Sequence, residues 1–565
     1  MIGRLASFAL RAGAGGIAMR RCVETGVPTE SAVSGCVVAL GMAVLTWMGL
    51  GWGCVAQAQQ ASVMLPKPGS MARLGSVDAR YASYNIEMVQ VTGGRFWKPY
   101  ASASSSMTAE TQKAPPTQPG RQSAPPGMSA SLYEYRSPIH LDNARLVRLA
   151  KALGPSYVRV SGTWANRTWF QDDDQSARTS PPEGFGSVLT RAEWKGVLQF
   201  VQATGGSLVT SVAVSAGVRN AQGVWMPEQA QALWAYTRRE GGQVAATEFM
   251  NEPTFPTISG VPVHYDASAF ARDAKLFGAF LRKNSPGTIY LGPGSVGEGS
   301  NLMPPGMQMK LMPTDAILQA TGPLFDAFSY HFYGAASRRC MGRTTVEQAM
   351  SDAWLDDTLG AEKFYAALRD RYMPGRPLWV TETAEAACGG DPFSGQFVDV
   401  FRYLNQLGAL AQKGVQVVMH NTLSASDYGL LDEQTLEPKP DYWATLLWKR
   451  NMGRTVLQPG VAAQAGVHIY AHCAVQGKGA VTVMVLNSRA SALTLELPVA
   501  AEQATLTAAK LTSRNTEMNG ILLQAADDGT VRLPMSRRVA AGTQTLPAYS
   551  VTFLRMEGAG NAACR

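Results

Sequence analysis

FMNEP at residues 249–253 and WVTET at residues 379–383 are the two stretches that most directly indicate the fold and the chemistry of this chain. Each places one glutamate, Glu252 or Glu382, at the end of a short run of β-prone residues. In a barrel of parallel strands, functional side chains lie at the carboxyl ends of the strands. Two glutamates at strand ends of one barrel would therefore face a common cavity.

Six further β-prone runs accompany these two, and helical patterns lie between them. The eight expected strands cover residues 81–88, 156–160, 207–214, 245–251, 289–291, 327–332, 378–381 and 415–420. Apolar strands that alternate with helices indicate parallel pairing through right-handed crossovers. Eight such units predict an α/β fold, a (β/α)8 TIM barrel over residues 77–450. A doubly wound open sheet is the alternative, but no glycine-rich phosphate motif follows the first strand.

The pattern of apolar and polar residues changes after the predicted barrel. Residues 451–565 contain short alternating runs without intervening helices, which predicts a C-terminal antiparallel β-sandwich. Residues 59–76 read as an extended lead-in that could add a strand to this sandwich. Residues 101–130 are rich in Ser, Pro, Gln and Ala, which is typical of a low-complexity insertion in the first βα loop.

Residues 1–58 have the pattern of a signal peptide. Arg20 and Arg21 precede an apolar run over residues 32–50, and small residues at Ala56 and Ala58 follow. We therefore expect an exported protein, periplasmic or extracellular, with no stable membrane partner after cleavage. The alternative is an uncleaved N-terminal membrane anchor, because the apolar run approaches the length of a spanning helix.

Composition excludes several classes of protein. Hydrophobic residues make up 46% of the chain and charged residues 16%, which excludes global disorder. The net charge of +8 is not concentrated in a Lys/Arg stripe, so we expect no nucleic-acid partner. Six scattered histidines and the absence of a Cys-x-x-Cys motif predict no metal site, and no cofactor is expected.

Four cysteines follow the leader, an even number that suggests two disulfides.

A pair of glutamates in one barrel suits glycoside hydrolysis. One carboxyl must be protonated to donate to the leaving oxygen, and the other must be ionised to attack the anomeric carbon. The two carboxyl groups should lie about 5–5.5 Å apart if the configuration is retained, and near 8 Å if it is inverted. The simpler interpretation is that either glutamate caps the helix after its strand.

These motifs resemble those of clan A retaining glycosidases, and more narrowly those of glycoside hydrolase family 79, the heparanase and β-glucuronidase family. The resemblance covers roughly residues 75–565 and is weak across residues 99–135. Further stretches carry it: LLD at 430–432, PDYW at 440–443, MNG at 518–520, LPAYS at 546–550 and AAC at 562–564.

The resemblance implies a role for each matching residue. Glu252 would be the acid/base and Glu382 the nucleophile. The residues implied to bind the sugar are Asn251, Glu87, Thr163, Tyr333 and Tyr428, with Tyr333 also orienting the nucleophile. Gly389 and Gly390 would offer backbone N–H groups to a glucuronate carboxylate. The terminal Cys564 would pair with Cys473.

The sequence departs from the family beside the nucleophile. Members of the family place a tyrosine five residues after it and then glycines, whereas this chain has Ala387 and Cys388. Uronic-acid specificity is therefore less firmly implied than retaining chemistry. Cys340 and Cys388 lie in strand-end loops of the same face, so we predict that they are bonded.

Several charged residues near these loops have more than one interpretation. Arg338, Arg339 and Arg343 in the sixth βα loop could bind a carboxylate or sulfate, or remain solvated. Glu248 could point into the barrel and pair with Arg159, because it lies an even number of residues before Glu252. Glu385 is expected to face solvent or cap a helix.

The sequence thus predicts an exported, monomeric, retaining β-glycosidase that acts on glucuronic-acid-containing oligo- or polysaccharides. One alternative is another clan A specificity, such as a xylosidase or arabinofuranosidase, with the same two glutamates. The other is a non-catalytic carbohydrate-binding protein on the same barrel.

Overall fold

The computed structural model describes residues 62–100, 129–302 and 311–565. It confirms the predicted fold class, a parallel eight-stranded barrel joined to a C-terminal β-structure. The predicted signal peptide and nearly all of the 101–130 insertion lie outside the described residues. No helix among the described residues is long and apolar enough to cross a bilayer.

The strands of the first part of the chain include the lead-in, the barrel and two small side sheets. In chain order they are β1 (Val63–Met64), β2 (Arg73–Ser76), β3 (Ala82–Glu87), β4 (Gly94–Trp97), β5 (Tyr133–Arg136), β6 (Tyr157–Ser161), β7 (Thr168–Gln171), β8 (Ser187–Thr190), β9 (Ser207–Ser211), β10 (Val244–Glu248), β11 (Ile289–Ser295), β12 (Ala327–Ala336), β13 (Leu378–Ala387) and β14 (Val417–His420). The closed barrel runs β3-β6-β9-β10-β11-β12-β13-β14, with every neighbouring pair parallel.

All eight predicted barrel strands exist, but the carboxyl ends of five of them, β9 to β13, differ from the prediction by three residues or more. β10 ends at Glu248, so Asn251 and Glu252 lie in the following loop rather than at the strand end. β12 and β13 each run for ten residues, so Glu382 lies within its strand. The two long strands pair with each other from Phe328↔Leu378 to Ala336↔Ala387, past Tyr330 and Thr383, where their pairing with β11 and β14 ends.

Helices cover the outside of the barrel. They are α1 (Met88–Thr92), α2 (Ala144–Ala152), α3 (Arg191–Thr204), α4 (Glu228–Arg239), α5 (Ala267–Asn284), α6 (Thr314–Thr321), α7 (Val346–Ala349), α8 (Asp352–Leu355), α9 (Asp357–Tyr372), α10 (Phe397–Gln412) and α11 (Pro440–Asn451). The first fifteen residues of α10 are buried on every face, which marks a helix inside a larger core. It packs against β13 of the barrel and against β2, β15 and β16 of the sandwich region described next.

The C-terminal strands form two sheets. They are β15 (Met452–Leu457), β16 (Val467–Ala474), β17 (Val481–Asn487), β18 (Leu493–Leu497), β19 (Ala501–Thr507), β20 (Glu517–Met518), β21 (Ile521–Leu522), β22 (Arg537–Val539), β23 (Gly542–Leu546) and β24 (Ser550–Met556). A nine-stranded sheet and a three-stranded sheet share one apolar core. β1 pairs in parallel with β18, and β2 pairs antiparallel with β15, so the lead-in contributes a strand to each sheet.

Candidate active site

Glu252 and Glu382 lie at the carboxyl end of the barrel, close to His331 of β12. One carboxylate oxygen of each glutamate and a ring nitrogen of His331 all lie within 4.8 Å of one another. Glu252 follows β10 and has a left-handed backbone, with φ of 50°. A non-glycine residue in that region is strained, and such strain is commonly found at functional sites.

Glu382 is held by two donors. Tyr333 Oη donates to its Oε1 at 2.6 Å, and Arg159 Nη1 donates to its Oε2 at 2.7 Å. Burial raises the pKa of Glu382, but the positive charge of His331 and Arg159 and these hydrogen bonds outweigh it, and the pKa is lowered. The Glu382 carboxylate is therefore ionised and oriented, as a nucleophile requires.

Glu252 has the opposite electrostatic environment. Its Oε1 lies 3.0 Å from His331 Nδ1. Burial raises the pKa of Glu252, and the nearby Glu382 carboxylate raises it further, against the opposing hydrogen bond from His331. A proton is therefore retained on Glu252 at a pH at which Glu382 is ionised, and this is the division of roles that an acid and a nucleophile need.

Arg159 of β6 links the strands beneath the two glutamates. Besides Glu382, its guanidinium donates to Glu248 Oε2 at 2.9 Å and to Asn251 Oδ1 at 2.7 Å. The contact with Glu248 confirms the predicted ion pair, and both side chains are almost completely buried. Burial raises the pKa of Glu248, but the Arg159 charge outweighs it and the pKa is lowered. This ion pair fixes Arg159 beside the nucleophile.

A second group of polar residues surrounds the space beside Glu382. Asn421, after β14, places its Nδ2 at 3.2 Å from Glu87 Oε1, at 3.0 Å from Tyr333 Oη and at 3.3 Å from Tyr428 Oη. Glu87 Oε2 is buried without a hydrogen-bond partner among the described residues. An orphaned carboxylate oxygen next to the nucleophile suits a sugar hydroxyl donor.

Gly162 explains how Glu87 fits there. Its φ of +92° favours glycine, and a Cβ at this position would lie 1.6 Å from Glu87 Oε2. The neighbouring Thr163 Oγ1 lies 3.5 Å from Asn251 Nδ2, at the limit of hydrogen bonding. Asn251, Glu87, Thr163, Tyr333 and Tyr428 are thus gathered around the two glutamates.

Gly389 and Gly390 follow β13 with left-handed φ values of 82° and 83°. Neither backbone N–H donates to another described residue. A Cβ on Gly389 would lie 2.7 Å from Trp97 Cβ, and one on Gly390 would lie 2.6 Å from Ser394 Oγ and 3.1 Å from the Tyr428 ring. Successive N–H groups of left-handed backbone without a protein acceptor are of the kind that can bind an anion.

The prediction that Arg339 contacts a substrate anion is not supported. Its Nε and Nη2 donate to Lys98 O, its Nη1 donates to Cys388 O and Gly390 O, and Nη2 also pairs with Asp427. Because a guanidinium has five N–H donors, none is left for a substrate. The side chain of Arg338 is exposed, and its backbone N–H donates to Asp391 Oδ1 at 2.8 Å.

Both disulfide pairings are present. Cys340 is bonded to Cys388, and Cys473 is bonded to Cys564.

The expectation for Glu385 was wrong, because its side chain is buried and accepts from Ser394 Oγ and from the backbone N–H of Asp391. Burial raises the pKa of Glu385 to about 8, helped by the carboxylates of Asp391 and Asp399. Extension of β13 past Glu382 carries this residue into the interior.

The described residues include one group that could hold a metal ion, formed by Glu252, His331 and Glu382. The charge around this group does not favour a cation. Arg159 already donates to Glu382 Oε2, the oxygen that lies 3.7 Å from His331 Nδ1. A metal would have to displace this buried guanidinium or share its carboxylate.

Comparison with known proteins places this site in a family. The model of "Glycosyl hydrolase family 79, N-terminal domain" matches residues 128–408, a range that contains both glutamates, Arg159 and His331. The chain belongs to glycosyl hydrolase family 79. The earlier resemblance is thereby confirmed.

The relatives of this chain have low sequence identity to it, but the similarity extends over most of the chain. "Heparanase-like protein 1" of Arabidopsis thaliana is 26% identical, over 62% of this chain and 66% of that protein, slightly under two thirds of its length. "Heparanase" of Mus musculus is 25% identical, over 75% and 88%. "Baicalin-beta-D-glucuronidase" of Scutellaria baicalensis is 26% identical, over 79% and 88%.

Solved structures confirm the fold. A 4-O-alpha-L-rhamnosyl-beta-D-glucuronidase from Fusarium oxysporum 12S superposes with a TM-score of 0.56, covering 87% of this chain and all of that chain. At 12% sequence identity, this likeness concerns the architecture alone.

Sequence reasoning missed two parts of this family 79 site. Asn421 directly follows His420 at the end of β14, so its position at a strand end was the available signal. The contact of Arg159 with the nucleophile had no local signal, because it depends on how β6 and β13 face each other across the barrel.

The pH dependence of activity should respond to His331. In His331→Gln, the positive charge between the two glutamates is lost, so the pKa of Glu382 and that of Glu252 should both rise. Activity requires ionised Glu382 and protonated Glu252, so both limbs of the pH–kcat/KM profile should move to higher pH. The exposed His264 provides the control His264→Gln, whose limbs should stay in place. An unmoved profile in His331→Gln would contradict this role of His331.

Proposed function

We propose that this protein is a retaining β-glycosidase that hydrolyses β-linked glucuronides. One observation carries the proposal: a carboxylate oxygen of Glu252 and one of Glu382 lie within 4.8 Å of each other. This separation agrees with the spacing of about 5–5.5 Å for retaining enzymes rather than with the roughly 6.5–9.5 Å of inverting enzymes.

In the first step, Glu382 attacks the anomeric carbon of the bound sugar. The bond from that carbon to the leaving oxygen breaks, and Glu252 transfers its proton to the oxygen. Tyr333 and Arg159 hold the attacking carboxylate, and His331 binds Glu252 through one oxygen, which leaves its Oε2 to carry the proton. The product is a glycosyl ester of Glu382 and a free alcohol.

In the second step, Glu252 must act as a base. Esterification removes the negative charge of Glu382, which is one of the causes that raise the pKa of Glu252. The pKa of Glu252 should therefore fall once the intermediate forms, and the ionised carboxylate can take a proton from water. That water attacks the anomeric carbon from the face that the alcohol left, the ester bond to Glu382 breaks and frees its carboxylate, and the sugar is released with retained configuration.

The proposed glucuronide specificity rests on the residues beside Tyr428. Gly389 and Gly390 offer two free N–H groups suited to a carboxylate, and Glu87 offers an unpaired oxygen suited to a hydroxyl. The names of the heparanase and baicalin-β-D-glucuronidase relatives agree with a glucuronic-acid-containing substrate. We therefore propose glucuronic-acid-containing oligo- or polysaccharides as substrates.

We also propose that the protein is exported. The signal pattern of residues 1–58 supports export. The two disulfides agree with it, because structural disulfides persist in oxidising compartments.

A panel of aryl glycosides tests the proposed activity. The purified protein should hydrolyse aryl β-glucuronide at least about 100-fold faster, in kcat/KM, than aryl β-xyloside, β-glucoside or α-arabinofuranoside, because only the glucuronide carries a carboxylate for Gly389 and Gly390. Faster turnover of a neutral glycoside would replace the proposed specificity by that of another clan A enzyme. Glycan binding without any turnover would favour a non-catalytic protein.

A further inference from the structure

Arg339 joins four loops on one side of the active-site cavity. It belongs to the loop after β12, and it donates to Lys98 O after β4, to Gly390 O after β13 and to the Asp427 carboxylate after β14. Its side chain is only 6% exposed and that of Asp427 only 11%. These contacts join the first, sixth, seventh and eighth βα loops into one continuous wall, which we name the Arg339 wall.

Further contacts stiffen this wall. Arg339 stacks on the Tyr100 ring at 3.8 Å, and the Cys340–Cys388 disulfide bonds the sixth loop to the seventh. Lys439 Nζ donates to Asp427 O at 3.0 Å, which ties the eighth loop to the start of α11. The wall is therefore held by covalent, ionic and backbone contacts rather than by packing alone.

The order of barrel strands sets where the wall lies. Glu252 follows β10, and β14 is four strands away from β10 in either direction around the eight-stranded ring. The eighth loop, with Tyr428 and Asp427, therefore lies across the cavity from Glu252. The first and seventh loops flank it on either side.

The positions of the two catalytic groups then orient the sugar. The scissile oxygen must lie at Glu252 and the anomeric carbon at Glu382. The far end of the same sugar ring, which carries the 4-hydroxyl, then lies away from Glu252 and on the side of the eighth loop, where Tyr428 adjoins both Asn421 and Gly390 of the Arg339 wall. A chain that continued from that hydroxyl would run into Arg339 and its four loops.

We propose that the Arg339 wall makes this protein exo-acting, so that it removes one terminal sugar whose 4-hydroxyl is unsubstituted. Arg339 acts as a specificity-determining residue through the loops that it holds. The inference rests on the proposed glycosidase function, and deepens it by naming the terminal residue as the substrate.

The test compares two substrates that differ only at the 4-hydroxyl. The wild-type protein should hydrolyse aryl β-glucuronide and discriminate by about 100-fold or more, in kcat/KM, against the same compound with a 4-O-glycosyl substituent. Arg339→Ala should raise the ratio of substituted to unsubstituted turnover by about 10-fold or more, because the wall opens. The control Arg343→Ala removes an exposed arginine from the same loop and should leave the ratio unchanged. A gain on the larger substrate cannot come from general loss of structure.

Product analysis separates failure of this inference from failure of the proposed function. Release of internal fragments from a glucuronide polymer, or equal turnover of the two aryl substrates by the wild type, would overturn exo-action and leave the glycosidase proposal standing. An unchanged ratio in a folded Arg339→Ala variant would overturn the role of Arg339. Absence of turnover on every glycoside and polymer would contradict the proposed function itself.

Discussion

Glu382→Gln should lower kcat/KM for aryl β-glucuronide by about 10⁴-fold or more, while the fold is kept. The amide is nearly isosteric with the carboxylate, but it lacks the negative charge that attacks the anomeric carbon. Tyr333 and Arg159 would still contact the side chain. The exposed Glu557 provides the control Glu557→Gln, whose kinetics should match the wild type.

Azide distinguishes the roles of the two glutamates. In Glu382→Gly, azide should enter the space of the nucleophile and give a glycosyl azide of inverted configuration. In Glu252→Ala, azide should attack the glycosyl-enzyme and give the retained configuration. Proton NMR of the anomeric centre determines the configuration of the glycosyl azide from each variant. The same configuration from both variants, or full activity in Glu382→Gln, would contradict the assignment.

Arg159→Met should be the most destabilising single change near the site. It leaves Glu248, which is completely buried, without its partner, and the loss of one member of a buried ion pair costs about 3–5 kcal/mol. Activity should fall as well, because Glu382 loses its donor and its pKa rises. Urea unfolding gives the change in stability, and kcat/KM against pH gives the change in the nucleophile.

A second substitution separates these two effects. The double variant Arg159→Met/Glu248→Gln removes the unpaired buried charge, so it should recover most of the lost stability. It should not recover activity, since Glu382 still lacks its cation. Recovery of both would mean that Arg159 serves the fold alone, and recovery of neither would mean that Glu248 is not the group left unsatisfied.

The sequence predicted the barrel because the signals for it are local. Each strand is a short apolar run between helical patterns, and this periodicity identifies strands without knowledge of their neighbours. Glu252 and Glu382 follow such runs, so their shared cavity could be inferred from topology. Strand ends were less predictable, because pairing of β12 with β13 extends both strands beyond their apolar residues.

The contacts of buried charges could not be predicted in the same way. The sequence offers Arg339 as a solvated cation or an anion ligand, but three loops from distant parts of the chain supply acceptors that occupy all its donors. From the sequence, Glu385 was expected to face solvent or cap a helix. Only the path of β13 determines that it is buried.

The pairing of β2 with β15 has a consequence for how this protein folds. Contacts such as Gly75↔Val456 close the whole barrel into a single loop whose two ends lie in the same sheet. During synthesis, β2 of the lead-in therefore cannot pair with β15 until the entire barrel has been made. Because the pairing of β2 with β15 holds both ends of the barrel, its loss would free both ends at once. The barrel and the C-terminal sheets should therefore unfold together rather than one after the other.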